Sequence, residues 1–238
     1  MSFRHSITIV ASPRPRVGKT LVARLLTDFH RHEGRQVVAF DVNSGENTLA
    51  QYLPEYAKVS EIGDIKGQMA LFDRLIADDG ATKIIDLGHQ AFEMFVTVAG
   101  RIGFDAEARK RGLAPAILFA IAPDRTSVEA YRGLRSRLPQ AMLAPLLNEM
   151  LGTDQHRDKY PMLGSGPALV RLPALAQGLR RYIDKPPFSF SGTWLANARD
   201  IPLDAQIELQ RWLRKIYLEF RELELRILLA DLQSSIRF

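Results

Sequence analysis

Short runs of apolar and β-branched residues alternate, up to about residue 185, with longer stretches in which apolar residues recur every three or four positions. The short runs are typical of buried parallel strands, and the periodic stretches are typical of helices packed on a sheet. The predicted strands are residues 7–11, 36–41, 83–88, 115–122, 142–148 and 170–173. Strands that alternate with helices in this way predict an α/β fold with a doubly wound, mostly parallel sheet.

The C-terminal stretch differs from the rest, because residues 204–236 contain neither glycine nor proline and predict one long helix. Its main apolar positions alternate steps of four and three residues, the heptad pattern of paired helices. They are Leu209, Leu213, Ile216, Phe220, Leu223, Ile227 and Ala230. We expect an α/β domain over residues 1–185, an irregular linker over 186–203 and an amphipathic helix over 204–238. The first turns of the helix suit packing on the sheet equally well, whereas its far end favours a partner helix, from the same chain or from a second subunit.

The segment between the first predicted strand and the first predicted helix carries the clearest motif. It reads Pro13-Arg14-Pro15-Arg16-Val17-Gly18-Lys19-Thr20 and ends like the phosphate-loop pattern G-x-x-x-x-G-K-[ST]. In that pattern backbone N–H groups surround phosphate oxygens, the lysine reaches the β- and γ-phosphates, and the hydroxyl binds Mg²⁺. Pro13 stands at the first glycine position and cannot donate an N–H. The alternative is an ordinary strand-turn-helix with V-G-K-T by chance, but the flanking strand and helix favour a phosphate site.

Two acids end later strands, Asp41 in the second predicted strand and Asp86 in the third. The carboxyl ends of parallel strands face the ligand crevice of an open α/β sheet, so both side chains are candidates to hold Mg²⁺ or a water molecule. The alternative is that both acids only cap helices or form turns. Asn148 ends another predicted strand, where its amide suits a nucleotide base and a loop cap equally well.

The composition excludes several classes of site. The chain has 238 residues and no cysteine, which excludes disulfides, thiolate metal sites and a cysteine nucleophile. No apolar run approaches the roughly 20 residues of a membrane span, and the first run is too short for a signal peptide, so we expect a cytoplasmic protein. The formal charge of +5 and a pI near 9.6 permit contact with nucleic acid.

A basic surface is a further candidate for a function. Residues 126–129 form a capping-box pattern that predicts the start of an arginine-rich helix. The basic residues considered for DNA binding are Arg132, Arg135, Arg137, Arg180, Arg181, Lys185, Arg211, Arg214, Lys215, Arg221 and Arg226. The last five of these lie in the C-terminal stretch, which also contains the acids Glu208, Glu219, Glu222 and Glu224. We therefore favour solvated helix faces over DNA binding.

These motifs resemble those of the ParA/MinD family of deviant phosphate-loop ATPases, which shares a fold class with dethiobiotin synthetase. The resemblance covers roughly the first two-thirds of the chain. The family's loop reads K-G-G-V-G-K-T, so residues 17–20 match it and Arg14 stands in the place of its signature lysine. The family's second strand ends D-x-D-P-Q-G-N, and residues 41–47 read D-V-N-S-G-E-N.

The resemblance implies ATP and Mg²⁺ as cofactors and a homodimer that encloses the nucleotide. The implied nucleotide contacts are Arg16, Val17, Gly18, Lys19, Thr20, Leu21 and Asn148. The implied metal site consists of Thr20, Asp41 and Asp86, of which Asp86 matches the family's Walker B acid. The implied catalytic residues are Arg14, Lys19 and Asp41. Arg14 would reach the partner's phosphates across the dimer, as the family's lysine does.

The departures from the family pattern bear on activity. Asn43 stands in the place of the second acid of the family's D-x-D pattern, which by the resemblance is the residue that positions water. An amide cannot accept a proton as a carboxylate does. We therefore expect weak or absent hydrolysis in an ATP-dependent dimeric switch that partitions or positions a cargo, with the C-terminal helix as the cargo contact. One alternative is a degenerate scaffold that acts through this helix alone. Another is a ligase or kinase similar to dethiobiotin synthetase.

Overall fold

A parallel sheet forms the centre of the structure. The computed structural model describes residues 6–43, 48–152, 169–191 and 200–236. Within them the strands are β1 (Ser6–Ala11), β2 (Val37–Val42), β3 (Ala57–Val59), β4 (Thr82–Leu87), β5 (Ala114–Ala120), β6 (Met142–Asn148) and β7 (Val170–Leu172). They form one seven-stranded sheet in the order β3-β2-β4-β1-β5-β6-β7. All six strand pairs are parallel.

Helices cover both faces of the sheet. Those in the described residues are α1 (Lys19–His32), α2 (Thr48–Tyr52), α3 (Ile65–Leu75), α4 (Phe92–Arg101), α5 (Phe104–Lys110), α6 (Arg125–Arg137), α7 (Gln177–Ile183) and α8 (Leu203–Ile236). Two hydrophobic cores lie on the two faces of the sheet. One contains residues of α1, α2, α7 and α8, and the other contains residues of α3, α4, α5 and α6. The predicted fold class, a doubly wound parallel sheet of the phosphate-loop type with a long C-terminal helix, is confirmed.

Neighbouring residues of each strand belong to opposite cores, because side chains alternate across a pleated strand. In β1, Val10 lies in the core beneath α1 and α8, whereas Ile9 lies in the core beneath α3 to α6. Ile84 and Ile85 of β4 divide in the same way. The central strands are therefore apolar on both sides, which is why they read as continuous apolar runs in the sequence.

The strand order reverses beside β1, which lies between β4 and β5. In an open α/β sheet such a reversal leaves a crevice at the carboxyl ends of the strands, where ligands bind. Asp41 and Asp86 are aligned partners in the pairing of β2 with β4, so both acids lie at this crevice. The loop between β1 and α1 begins at the same edge.

Two short elements were not predicted from the sequence. The structure forms α2 and β3 between residues 48 and 59, in a segment that reads as polar and without periodicity. β3 has three residues, which is too short for an alternating pattern to be recognised. It joins the sheet by pairing with β2 and forms one edge of the sheet.

Residues 186–191 pack into the core beside α1, although they lack regular structure. Phe188 and Phe190 are buried, and the guanidinium of Arg24 lies 5.4 and 5.0 Å from their ring centres. The same guanidinium lies 3.6 Å from the ring centre of Tyr52. The backbone N–H of Phe190 donates a hydrogen bond to Asp28. Side chains of α1 thus fix a segment whose sequence predicts only irregular structure.

The helix α8 packs on α1 and β7 through its first five to six turns. Its buried residues run from Ala205 to Leu223. Its polar contacts lie at β7, where Trp212 donates to the carbonyl of Pro173 and Glu219 accepts from the N–H of Arg171, and at the end of α1. Arg35 binds the carboxylate of Glu224, and Arg221 donates to Glu33 at 2.7 Å. None of the described helices combines the length and the apolar character needed to cross a membrane.

Candidate functional site

The loop between β1 and α1 turns sharply into the helix. Gly18 precedes α1 with φ +93° and ψ +14°, in the left-handed region that glycine adopts at little cost. Arg16 has φ +58°, which costs a residue with a Cβ roughly 1–3 kcal/mol. Arg16 stands at a glycine position of the ParA/MinD pattern, and its positive φ explains why glycine suits that place. The surrounding structure therefore holds a strained arginine in the turn.

Asn148, at the end of β6, fixes the loop from the side. Its Nδ2 donates to the carbonyl of Val17 at 3.1 Å, and its Oδ1 accepts from the N–H of Met150 at 3.0 Å. A Cβ on Gly18 would lie 2.5 Å from the same Nδ2, so only glycine allows this approach. Asn148 thus acts inside the protein as a loop and helix cap, and its contact with a nucleotide base stays a prediction.

Lys19 places a charge beneath the loop. Its side chain is largely buried, and Nζ donates to the carbonyl of Arg14 at 2.6 Å across the turn. Burial lowers the pKa of Lys19, and the carboxylate of Asp86 partly opposes that shift. No carboxylate of the described chain lies within ion-pair distance of this amine. A buried cation without an anionic partner would be compensated by an anion bound in the loop.

A cluster of polar side chains lies directly below, at the ends of β2 and β4. Asn43 Nδ2 donates to Asp41 Oδ1 at 2.7 Å and to Asp86 Oδ2 at 3.0 Å. Thr20 Oγ1 donates to Asp86 Oδ2 at 2.7 Å. The structure thus brings Thr20, Asp41 and Asp86 into one cluster, joined by the amide of Asn43. Their roles as metal ligands stay predictions.

Asp86 has the features expected of a cation ligand. Its Oδ1 is buried and has no hydrogen-bond partner among the described residues. Burial, together with the charge of Asp41, raises the pKa of Asp86 to about 6, although hydrogen bonds from Thr20 and Asn43 favour the ionised form. A buried carboxylate oxygen without a donor requires an explanation, and a bound cation is one.

The donor set fits Mg²⁺ rather than a metal held by protein ligands alone. Within the described chain no three or more histidine or acidic side chains are grouped so that they could hold a metal ion. Mg²⁺ is commonly bound by one or two carboxylates together with water and substrate phosphates. Two carboxylates and the hydroxyl of Thr20 therefore suit a magnesium ion that arrives with a phosphate group.

Arg14 is held by its own chain. Its guanidinium donates to Asp124 Oδ1 at 2.5 Å. Asp124 also caps α6, because its carboxylate accepts from the N–H and the hydroxyl of Ser127 at 3.0 and 2.8 Å. These bonds, chiefly that of Arg14, hold the pKa of Asp124 well below its usual range. The cap of α6 is thus Asp124, and the capping box expected at residues 126–129 is wrong by two residues.

Sequence reasoning missed three positions that contribute to the site. Thr48 begins α2, and its Oγ1 lies 3.4 Å from Thr20 Oγ1. The N–H of Ala50 in α2 donates to Asp41 at 2.9 Å. A Cβ on Gly88 would lie 2.9 Å from Asn43 Oδ1. Thr48 directly follows the D-V-N-S-G-E-N segment of residues 41–47, and Gly88 lies two residues after Asp86. This nearness to the strand-end acids is the sequence feature that could have identified them.

The remaining predicted contacts are less specific. Leu21 is partly buried and packs on the core beneath α1, Val17 is buried, and Arg16 is exposed. Residues 44–47, which complete the match to the family's second strand, lie outside the described residues.

The basic residues considered for DNA binding do not gather on one surface. The arginines of α6 lie on the opposite face of the sheet from α7 and α8. Several of the arginines are paired with acids, and the pairs are Arg137 with Glu93, Arg221 with Glu33 and Arg226 with Glu222. This arrangement favours solvated helix faces over a continuous basic patch.

Comparisons with known proteins are distant. No family model matches the chain, and no curated protein sequence does. A plasmid partition protein of Borrelia burgdorferi, solved with AMPPNP bound, is similar at 12% identity and a TM-score of 0.47, over 90% of this chain and 99% of that one. A nucleotide-binding protein of Archaeoglobus fulgidus, solved with ADP, is similar at 13% identity and a TM-score of 0.39, over 85% and 87%. The chain is thus similar to two nucleotide-bound proteins, but identities of 12–13% and TM-scores below 0.5 do not assign a function. The assignment has to rest on this chain's own residues.

Proposed function

We propose that the chain binds ATP with Mg²⁺ at the loop of residues 13–20 and acts as a ParA/MinD-like nucleotide-dependent switch. The observation that carries this proposal is the pairing of two features at one crevice. The buried amine of Lys19 donates to a backbone carbonyl, and the buried carboxylate of Asp86 has an oxygen without a partner in the described chain. A metal-bound phosphate chain supplies what each group lacks.

Each residue has a defined part in this proposal. Lys19 and the backbone amides of residues 16–21 hold the phosphates, with the start of α1 adding its partial positive charge. Thr20 and Asp86 hold the metal, and Asp41 orients the metal or a water molecule. Bound Mg²⁺ would neutralise charge on the phosphates. Asn148 keeps the loop in place and lies at the edge of the crevice where a base would bind.

Hydrolysis is proposed to be weak or absent. The side chain of Asn43 points to Asp41 and Asp86 and donates to both. An amide in this place cannot take a proton from water. The chain would then hold its nucleotide for longer than an active ATPase does, which suits a switch that stays in one state until a partner or exchange resets it.

The homodimer of this proposal depends on Arg14. For Arg14 to reach the phosphates of a second subunit, its ion pair with Asp124 has to open. Both side chains are partly exposed, so the pair is moderate in strength and can be exchanged for phosphate oxygens. This dimer, which encloses the nucleotide, is therefore expected only with nucleotide present.

Calorimetric titration of ATP and Mg²⁺ tests the proposal, with Lys19→Met as the key variant. A charge-assisted hydrogen bond contributes about 1.5–3 kcal/mol, so the affinity should fall by roughly 10- to 150-fold. Lys83→Met is the control, because Lys83 is also a buried lysine that donates to a backbone carbonyl, that of Ala77, but it pairs with Asp79 and lies beside the start of β1, away from the loop. Equal binding by the parent and Lys19→Met, or none by the parent, would exclude the proposed site.

The second candidate is a scaffold that keeps the fold and acts through α8. It is favoured by the strained Arg16 and by Pro13 and Pro15, which reduce the number of N–H groups the loop can offer. A scaffold predicts the same oligomeric state with and without ATP and Mg²⁺. Size-exclusion chromatography in the two conditions separates it from the switch.

A further inference from the structure

The outer face of α8 is unusually apolar. Five leucines lie on it with exposed fractions from 45% to 63%, and they are Leu218, Leu225, Leu228, Leu229 and Leu232. Their steps of seven, three, one and three residues place them on one side of the helix. The residues buried against the sheet, such as Ile216, Phe220 and Leu223, lie on the other side. We call these five leucines the outer stripe.

Charge is unevenly distributed along the same face. The basic residues that precede the outer stripe are exposed, and they are Arg211, Arg214 and Lys215. Residues 227–236 of α8 contain one acid, Asp231, and no basic residue, and the next basic residue, Arg237, lies outside the described residues. The basic segment and the negatively charged segment of residues 227–236 therefore have opposite electrostatic character.

We propose that a second copy of the chain covers the outer stripe, with the two α8 helices antiparallel. A parallel pair would place Arg214 beside Arg214 of the second copy. An antiparallel pair instead places the basic segment beside the negative end of the other helix. The aliphatic stems of Arg214 and Lys215 can then cover the far leucines while their charges remain in water.

The same arrangement determines the register. If Arg214 lies beside Leu232 of the second copy, then Leu218 lies beside Leu228 of the second copy. Both leucines are exposed in one chain and would be buried in the pair. The outer stripe thus becomes the centre of a two-fold interface in which each contact occurs twice.

This interface does not need nucleotide and is separate from the switch dimer proposed above. The ion pairs that fix α8 lie at the C-terminal end of α1, where Arg35 binds Glu224. Lys19 is at the other end of α1, and a helix of 14 residues is about 20 Å long. The phosphate loop therefore stays accessible when two copies pair through the outer stripe.

Analytical ultracentrifugation without nucleotide tests the pairing. The parent should be dimeric, and Leu218→Glu should be monomeric because a carboxylate would be placed beside Leu228 of the second copy. Met69→Glu is the matched control, because Met69 and Leu218 are 61% and 63% exposed and Met69 lies on α3, on the other face of the sheet. It should remain dimeric. A monomeric parent, or a dimer that survives Leu218→Glu, would overturn the proposal.

Disulfide trapping tests the direction of the helices, and the absence of cysteine from the chain makes it clean. Leu218→Cys and Leu228→Cys are prepared as two separate proteins. An oxidised dimer should form when the two are mixed and should not form in either alone. Cross-linking of each protein with itself would indicate parallel helices and refute the arrangement. Adding Lys19→Met to both cysteine proteins should leave their cross-linking unchanged, because the pairing is independent of the phosphate loop.

Discussion

Replacing Asp86 with asparagine should make the protein more stable at neutral pH when nucleotide and metal are absent. Asp86 is fully buried, and burial raises its pKa from 3.8 to about 6. In the unfolded chain the same group ionises near its ordinary value. Between about pH 4 and pH 6 the folded protein therefore holds a proton that the unfolded chain has released. Stability must fall as the pH rises through that window.

The size of the effect follows from the shift in pKa. A shift of about two units corresponds to about 3 kcal/mol that the ionised carboxyl group costs the folded protein. Asparagine has no charge to desolvate, and its oxygen can still accept from Thr20 and Asn43. The amide N–H₂ of asparagine is however a new buried donor, and a buried donor left unpaired costs about 1–3 kcal/mol, so part of the gain is lost. We expect Asp86→Asn to gain about 1–2 kcal/mol at pH 7.5.

Urea unfolding at pH 4.5, 6 and 7.5, without nucleotide or Mg²⁺, measures this gain. Asp124→Asn is the control, because it should change the stability in the opposite direction. Arg14 and Ser127 hold the pKa of Asp124 below its usual range, so the stability that Asp124 contributes is present above about pH 4 and is lost as the pH falls. Asp124→Asn should therefore lower stability at neutral pH, whereas Asp86→Asn raises it.

Two results would refute the reasoning on Asp86. The first is a variant that is less stable than the parent at pH 7.5, or whose stability falls from pH 4.5 to 6 as steeply as the parent's. The second concerns binding, measured by titration of ATP with Mg²⁺ and with EDTA. The affinity of the parent should depend on Mg²⁺ and that of Asp86→Asn should not. A variant with full magnesium dependence would show that Asp86 is not a ligand.

Three further substitutions separate the roles proposed for the site. Asp124→Asn keeps an oxygen to cap α6 but releases Arg14. In the Leu218→Glu background, which removes pairing through the outer stripe, sedimentation with ATP and Mg²⁺ should therefore show a tighter nucleotide-dependent dimer than Leu218→Glu alone. Asn43→Asp adds a third carboxylate to the cluster and should lower stability by about 1–3 kcal/mol without Mg²⁺, while Mg²⁺ binding and phosphate release from ATP both increase. Gly18→Ala should cost more in urea unfolding than Gly34→Ala, because both have positive φ but only Gly18 has a side-chain atom within 3 Å of the added Cβ.

The sequence predicts the parts of the site whose signals are local. Each strand-end acid follows an apolar run, and Lys19 follows a turn, so their placement at one crevice follows from parallel topology alone. β3 is different, because three residues carry no period and its existence depends on pairing with β2. Phe188 and Phe190 are buried through contacts with distant parts of the chain, Arg24 and Asp28 of α1 among them, which no local pattern contains.

The partner of Arg14 could not be predicted for the same reason. Asp124 is 110 residues away in the chain, and only the packing of β5 beside β1 brings the two together. The capping box at residues 126–129 competes with Asp124 as a cap, and the carboxylate prevails because it accepts two hydrogen bonds from Ser127. For Asn148, by contrast, the sequence indicated both a loop cap and a contact with a nucleotide base, and the cap is the contact within the chain that the structure contains.

The charged groups of the site differ in what a ligand has to displace. At Asp86 Oδ1 a cation displaces no hydrogen bond within the described chain, and at Lys19 an anion displaces one bond to the carbonyl of Arg14. The guanidinium of Arg14 is different, because it has to leave the carboxylate of Asp124 before it can bind a second phosphate group. In the proposed switch, nucleotide and metal would therefore bind to one subunit before Arg14 is released, and the cost of breaking the ion pair would fall on dimer formation. A mutation at Asp124 should for this reason change the dimer equilibrium much more than the affinity of one subunit for ATP.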